Sequence, residues 1–189
     1  MYKSKVIAVG MSTMMFLVLS SCTHSPTSAN LSANLLQNSS FEVSGQPSLE
    51  HWVCDTSLAT LVKTGPNGDS TWSMQLQLGQ MPHEGFASTS IPAEAGSGTY
   101  TLTAWFKSNN GLIGTLAINT WSSQIGGWSA VKSVTGDQTH WSMLSLSVNL
   151  SLSASDSIMV VLLTGEVLDT TSIPNAKVLF TDISLQKVQ

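Results

Sequence analysis

Six tryptophans stand in a chain with only 10% charged residues and no arginine, and they carry most of its capacity for specific contact. An indole is broad, rigid and electron-rich on its faces, so it makes a stacking surface that few side chains match. Strand parity sorts the six. In Tyr100 to Ser108, Tyr100, Leu102, Ala104 and Phe106 take one face, and Thr101, Thr103, Trp105 and Lys107 the other. In Leu112 to Trp121, Leu116 and Ile118 oppose Thr115, Ala117, Asn119 and Trp121. Trp105 and Trp121 therefore fall on polar sides, beside Lys107 and Asn119, where a ring is exposed. Trp128 follows the Gly126-Gly127 turn and can rim the same surface, with Gln75 and Gln77 as amide donors at its border. Trp72 shares parity with Met74 and Leu76 and is assigned to the core. The competing reading packs Trp105 and Trp121 under a loop or between sheets.

Other chemistries find less to stand on. Hydrolysis of a glycosidic bond needs two carboxylates about 5–10 Å apart across a cleft, and no spacing among the eleven acids singles out a pair. There is no Gly-x-Ser-x-Gly elbow for a serine hydrolase, no Gly-rich phosphate loop and no cofactor motif. His24, His51, His83 and His140 lack the spacing of a transition-metal site. A net charge of −4 without a basic cluster removes the electrostatic footprint of a nucleic-acid binder. The expectation is a binding protein, not an enzyme, with no nucleic-acid partner.

The elements that must hold these side chains read as strands. Gln75 to Leu78 alternates strictly, Ser142 to Leu152 alternates polar with apolar, and Val178 to Val188 closes the chain. Ile158 to Leu163 is a continuous apolar run, as in a strand covered on both faces. Turn signals recur at Pro66-Asn67-Gly68-Asp69, Gly96-Ser97-Gly98, Asn109-Asn110-Gly111 and Gly126-Gly127. No apolar stripe of helical period lies outside the leader. That rhythm predicts an all-β sandwich or barrel of seven to nine strands.

The first 21 residues read as an export signal: Lys3 and Lys5, then an uncharged apolar run from Val6 to Leu19, too short to span a bilayer. It ends in Leu19-Ser20-Ser21-Cys22, which resembles the bacterial lipobox and makes Cys22 the lipidation site; the alternative is ordinary cleavage with Cys22 free to pair with Cys54. Thr23, in place of Asp, resembles the pattern sent to the outer membrane of a Gram-negative cell. Two acyl chains anchor a protein stably without a transmembrane helix. Residues 22–33, with the tandem Ser28-Ala29-Asn30-Leu31 and Ser32-Ala33-Asn34-Leu35, read as a flexible tether, and residues 34–189 as one domain. Once Lys3 and Lys5 are removed, five lysines face eleven acids.

That domain resembles a family. Asn34-Leu35-Leu36-Gln37-Asn38-Ser39-Ser40-Phe41-Glu42 is similar to the opening strand of the jelly-roll carbohydrate-binding modules that bind cellulose, xylan and mixed-linkage glucans, within the galactose-binding-like sandwiches. Trp52, the Ser73 to Leu78 strand, Tyr100 to Trp105, His140-Trp141 and Asp182-Ile183-Ser184-Leu185 continue the pattern in order. The resemblance implies a β-sandwich jelly roll that binds a polysaccharide or oligosaccharide, with Trp52 and Trp141 packed. It also implies a structural calcium tying the first strand to the last through Glu42 and Asp182, since calcium takes hard oxygen ligands. The sugar would stack on Trp105 and Trp121, both on one concave face. Family members normally ride on a hydrolase, which this chain does not contain. The alternative is a structural or adhesive envelope lipoprotein that keeps the fold without binding sugar; it expects both rings buried.

Overall fold

A computed structural model describes residues 31–79, 85–92, 96–109, 111–165 and 176–189. The leader, Cys22 and most of the tether lie outside these residues. Three two-residue strands come first: β1 (Glu42–Val43), β2 (Gln46–Pro47) and β3 (Val53–Cys54). Nine longer ones follow: β4 (Ala59–Gly65), β5 (Gly68–Gln77), β6 (Phe86–Pro92), β7 (Gly98–Asn109), β8 (Gly114–Ser122), β9 (Gly127–Gly136), β10 (Ser142–Leu150), β11 (Ser157–Thr164) and β12 (Lys177–Lys187). The long strands match the seven to nine expected from the turn rhythm.

With β3 they form two five-stranded sheets, the first ordered β10-β7-β12-β5-β4 and the second β3-β6-β11-β8-β9, while β1 pairs with β2 alone. Neighbours in both are antiparallel. β7 presents alternate side chains inward without a break from Tyr100 to Ser108. Tyr100, Leu102 and Phe106 of the first sheet meet Leu116, Ile118, Ile158 and Leu162 of the second in one core, all fully buried. Side chains of this size each contribute roughly 1.5–3 kcal/mol when taken from water. Phe106 and Phe180 pack with centroids 5.3 Å apart. Gly114 and Gly136 face each other across β8 and β9, and a Cβ on either would press on the Phe106 ring. The second sheet thus omits two side chains where the first inserts one large ring.

Beyond Phe180, β5 no longer pairs with β12, and a register shift between Thr181 and Ser184, with Asp182 at φ 49°, turns the strand. The vacated side is filled by residues 31–35. Leu31 bridges Val188, Ser32 N donates to Lys187 O at 2.9 Å and Leu35 N to Leu185 O at 2.9 Å. Asn34 locks the join: its Nδ2 donates to Ile183 O at 2.9 Å, and its Oδ1 accepts from Leu185 N at 3.0 Å. Residues 31–33, assigned to the tether on composition, are therefore bonded to the domain. Backbone pairing needs no apolar side chain, which is why Ser and Ala there gave no sign of it.

Two further expectations are refined. Trp52 is buried, as expected, its ring tilted against Phe41 with centroids 5.1 Å apart and its Nε1 donating to Asn38 O at 3.0 Å. Trp72 touches the core but stays half-exposed, with the Lys63 ammonium 5.9 Å from its ring centre. Edge position explains the difference: β4 is the last strand of its sheet and ends the cover over Trp72.

Candidate functional site

The two candidate platforms lie on different sheets. Trp121, on β8, faces outward from the second sheet; Trp105, on β7, faces outward from the first. Both stand off the core side as parity predicts, and both are half-buried. They do not share a concave face, because consecutive strands β7 and β8 belong to opposite sheets of the sandwich. The expectation of one surface carrying both rings is corrected accordingly, and so is the expectation of both rings fully buried.

What the structure brings together is Trp121 with Trp128. They are direct partners across the β8–β9 ladder, with ring centroids 5.6 Å apart and planes at 65°. The hairpin that joins them turns at Gly126, φ 63°, where Gly126 N donates to Ser122 O at 2.9 Å. Trp128 is 43% exposed. An edge-to-face pair is worth about 0.5–1.5 kcal/mol beyond its area, so each ring fixes the other. The result is a corner: one indole forms its floor and the other a wall. On β11, Ser157 lies opposite Trp121 and Met159 opposite Asn119. Asn119 thus stands two residues along the same outward face, half-buried beside the corner. Val53, on β3, and Ile125, in the hairpin turn, are each 68% exposed.

The corner is tied down from outside the sheet. Ser123, two residues past Trp121, donates from its N to Asp156 Oδ1 at 3.1 Å, and its hydroxyl meets that of Ser155 at 2.7 Å. Ser153 N donates to the other Asp156 oxygen at 2.7 Å. One carboxylate therefore clamps the β8–β9 turn to the β10–β11 loop. These backbone donors, Ser153 and then Ser123, hold the Asp156 carboxyl below the usual aspartate range. A group with a lowered folded pKa contributes stability above its unfolded value, about 3.9, and loses it as pH falls through the folded value. The protection factor of the Ser123 amide, its exchange taken relative to the intrinsic rate at each pH, should therefore fall on acidification below about pH 4, and Asp156→Asn should lower it at neutral pH and flatten the acid response. Sequence reasoning missed this clamp, since Ser153 to Asp156 resembles any loop of Ser, Ala and Asp.

The remaining candidates gather on the first sheet. Lys107 faces Leu179, and Leu179 faces Gln75, in one row across β7, β12 and β5. Gln75 Nε2 donates to Thr60 Oγ1 at 3.1 Å. Trp105 lies one outward position from Lys107, between Met143 and Thr181. Of the six residues singled out, Trp121, Trp128 and Asn119 form one group and Trp105, Lys107 and Gln75 another, on opposite outer faces.

Glu42 and Asp182 are both exposed. Their segments touch where Ile183 N donates to Ser39 O at 3.0 Å. Among the described residues no three His, Cys, Asp or Glu side chains converge, so a cation there would rely on amide and backbone oxygens as well. One is on offer: Asn38 Oδ1 is buried and accepts no hydrogen bond. The donor chemistry is hard oxygen throughout, which suits calcium and not a softer metal. Desolvation raises the Asp182 carboxyl above its ordinary range, a cost that a bound cation would offset. Cys54, expected as a small buried hydrophobe, is partly buried against the core, and burial pushes its thiol up.

This is a jelly-roll β-sandwich with the architecture of carbohydrate-binding modules. A CBM61 module in complex with β-1,4-galactotriose is 19% identical, over 82% of this chain and 99% of that one, with a TM-score of 0.53. The CBM22-2 xylan-binding domain of a Paenibacillus barcinonensis protein is 10% identical over 79% and 98%, with a TM-score of 0.56. The enzymatically active domain of a bacteriophage CBA120 tailspike protein is 15% identical over 81% of this chain but 21% of its own, with a TM-score of 0.55. Identities this low establish likeness of fold, and the tailspike shows the sandwich embedded in a much longer chain. No protein-family profile and no curated protein matches the sequence.

Proposed function

We propose that the protein is a non-catalytic glycan-binding module, held at the cell envelope by acylated Cys22, whose sugar seats in the corner between Trp121 and Trp128. The observation that carries this reading is the cross-strand indole pair on an outward sheet face. Sugars present weakly polar C–H faces to aromatic rings, and Asn119 and Ser157 supply hydrogen-bonding groups beside them. Solved structures of the same fold include a module in complex with β-1,4-galactotriose and a domain described as xylan-binding, which supports a saccharide ligand. Affinity electrophoresis of the protein in gels carrying soluble polysaccharides tests it. Retardation by at least one glycan, relieved by free oligosaccharide, is the expected result; uniform mobility across a broad panel of neutral and acidic polysaccharides would refute it. An envelope scaffold that recognises protein is the second reading, favoured by the exposure of Ile125 in the hairpin turn beside the corner. It expects retention by an envelope protein in place of retardation by sugar.

A calcium ion held by Glu42, Asp182 and Asn38 Oδ1, with loop carbonyls completing its shell, would pin the β1 segment to β12. A ligand that binds only the folded state stabilises by RT ln(1 + [L]/Kd), about 2.7 kcal/mol at a hundredfold excess over Kd. Calcium should therefore raise Tm by several degrees and chelator should reverse the shift. In Asp182→Ala the shift should vanish, whatever the variant's own Tm. Equal melting with calcium and with chelator would remove the ion from the account.

A further inference from the structure

We propose a second ligand site, independent of the tryptophan corner, on the outer face of the first sheet, where an acidic sugar residue binds through its carboxylate. A hollow of about 520 Å³ opens there, lined by Lys107, Ser108, Asn109, Gly111, Thr139 and Leu179. Its size falls within the roughly 300–1,000 Å³ of small-molecule sites. Lys177 borders it, facing Asn109 on β7 and Gln77 on β5.

The two lysines are diagonal neighbours. Lys107 lies opposite Leu179, and Lys177 is two residues before it, so their Cβ atoms stand about 7–8 Å apart. Like charges placed so closely on a sheet repel. Among the described residues neither lysine meets an acid within ion-pair distance; the sole pair there is His51 with Glu50. The nearest acid along the chain from Thr139 is Asp137, whose Oδ1 accepts a bond from Gln138 Nε2 at 3.2 Å. A charge-poor domain in which acids outnumber lysines nonetheless sets two cations beside one hollow.

The remaining groups suit a sugar, not a bare ion. Asn109 and Thr139 offer amide and hydroxyl partners for ring hydroxyls. Leu179 gives an apolar floor, and Trp105, the next outward residue before Lys107, extends it with an aromatic surface. A carboxylate between the two ammonium groups takes charge-assisted hydrogen bonds, roughly twice as strong as neutral ones. The ligand class is a uronic-acid residue within a glycan. Neutral saccharides gain nothing from the lysines.

The test is calorimetric titration of the protein with trigalacturonate at low and at physiological ionic strength, with neutral galactotriose alongside. The trimer should bind at low salt and weaken as salt screens the lysines. Replacing both, Lys107→Ala with Lys177→Ala, should lower its affinity about tenfold, taking two exposed charge pairs at roughly 0.7 kcal/mol each. Lys107→Arg with Lys177→Arg keeps the charges and should retain most of it. Trp121→Ala should leave trigalacturonate binding intact, which separates this site from the corner. Failure of the trimer to bind at low salt, undiminished binding by the double alanine variant, or loss on Trp121→Ala would each overturn the proposal.

Discussion

Trp121→Ala should abolish most glycan affinity, by about thirtyfold or more, while the domain stays folded. A central aromatic anchor costs 2 kcal/mol or more when truncated to alanine, and each 1.4 kcal/mol is tenfold in Kd. Removal acts twice here. It deletes the floor of the corner, and it frees Trp128 from its partner at 5.6 Å, so the surviving ring no longer holds one orientation. Trp128→Ala should therefore cost less, since Trp121 remains supported by Ser157 and Asn119 on its own face. The fold should survive both, because the outward rings lie off the central core. Titration with the glycan identified by electrophoresis measures the first effect, and thermal melting the second. A Trp121→Ala variant that melts with the wild type and binds equally well would dismiss the corner as the sugar site.

The largest effect on stability is expected from Phe106→Ala, a loss of about 3–5 kcal/mol. The ring is fully buried, stacks against Phe180, and fills the space left by Gly114 and Gly136. Those glycines cannot creep inward to close the gap, so the cavity persists and the cost lies toward the upper end. The reverse change is informative as well. Gly114→Ala drives a methyl into the ring and should cost about 1–3 kcal/mol by overpacking. In the Phe106→Ala background the same methyl enters empty space, and its cost should fall to near zero or change sign. A double-mutant cycle by chemical denaturation reads that coupling directly. Additive losses would mean that ring and glycine do not share one volume.

Strand parity was legible because it is local. The off-core placement of Trp105 and Trp121, the inward run from Tyr100 to Phe106, and the place of Trp128 on the same surface as Trp121 after a Gly-Gly turn all follow from neighbours in sequence. Sheet membership is not local. Nothing within residues 98–122 states that β7 joins β10 and β12 while β8 joins β9 and β11, and that choice sends Trp105 and Trp121 to opposite faces. The same limit hid the start of the domain. Ser32 carries no apolar signal, and its partner, Lys187, lies 155 residues away. Trp72 was read as core from parity alone; its half-exposure depends on β4 being an edge, which is again a property of the whole sheet.

The docking of residues 31–35 along β12 has a mechanical consequence. Under the proposed anchoring through Cys22, a domain gripping a polymer would come under tension, and the pull would enter it at Leu31. The segment runs antiparallel to β12, joined through Ser32, Asn34 and Leu35. Traction along its axis shears these bonds together, whereas a pull across the axis would peel them one by one. Forced release is governed by the unfolding barrier, not by equilibrium stability. The grip on the leash therefore depends on the angle at which the load arrives.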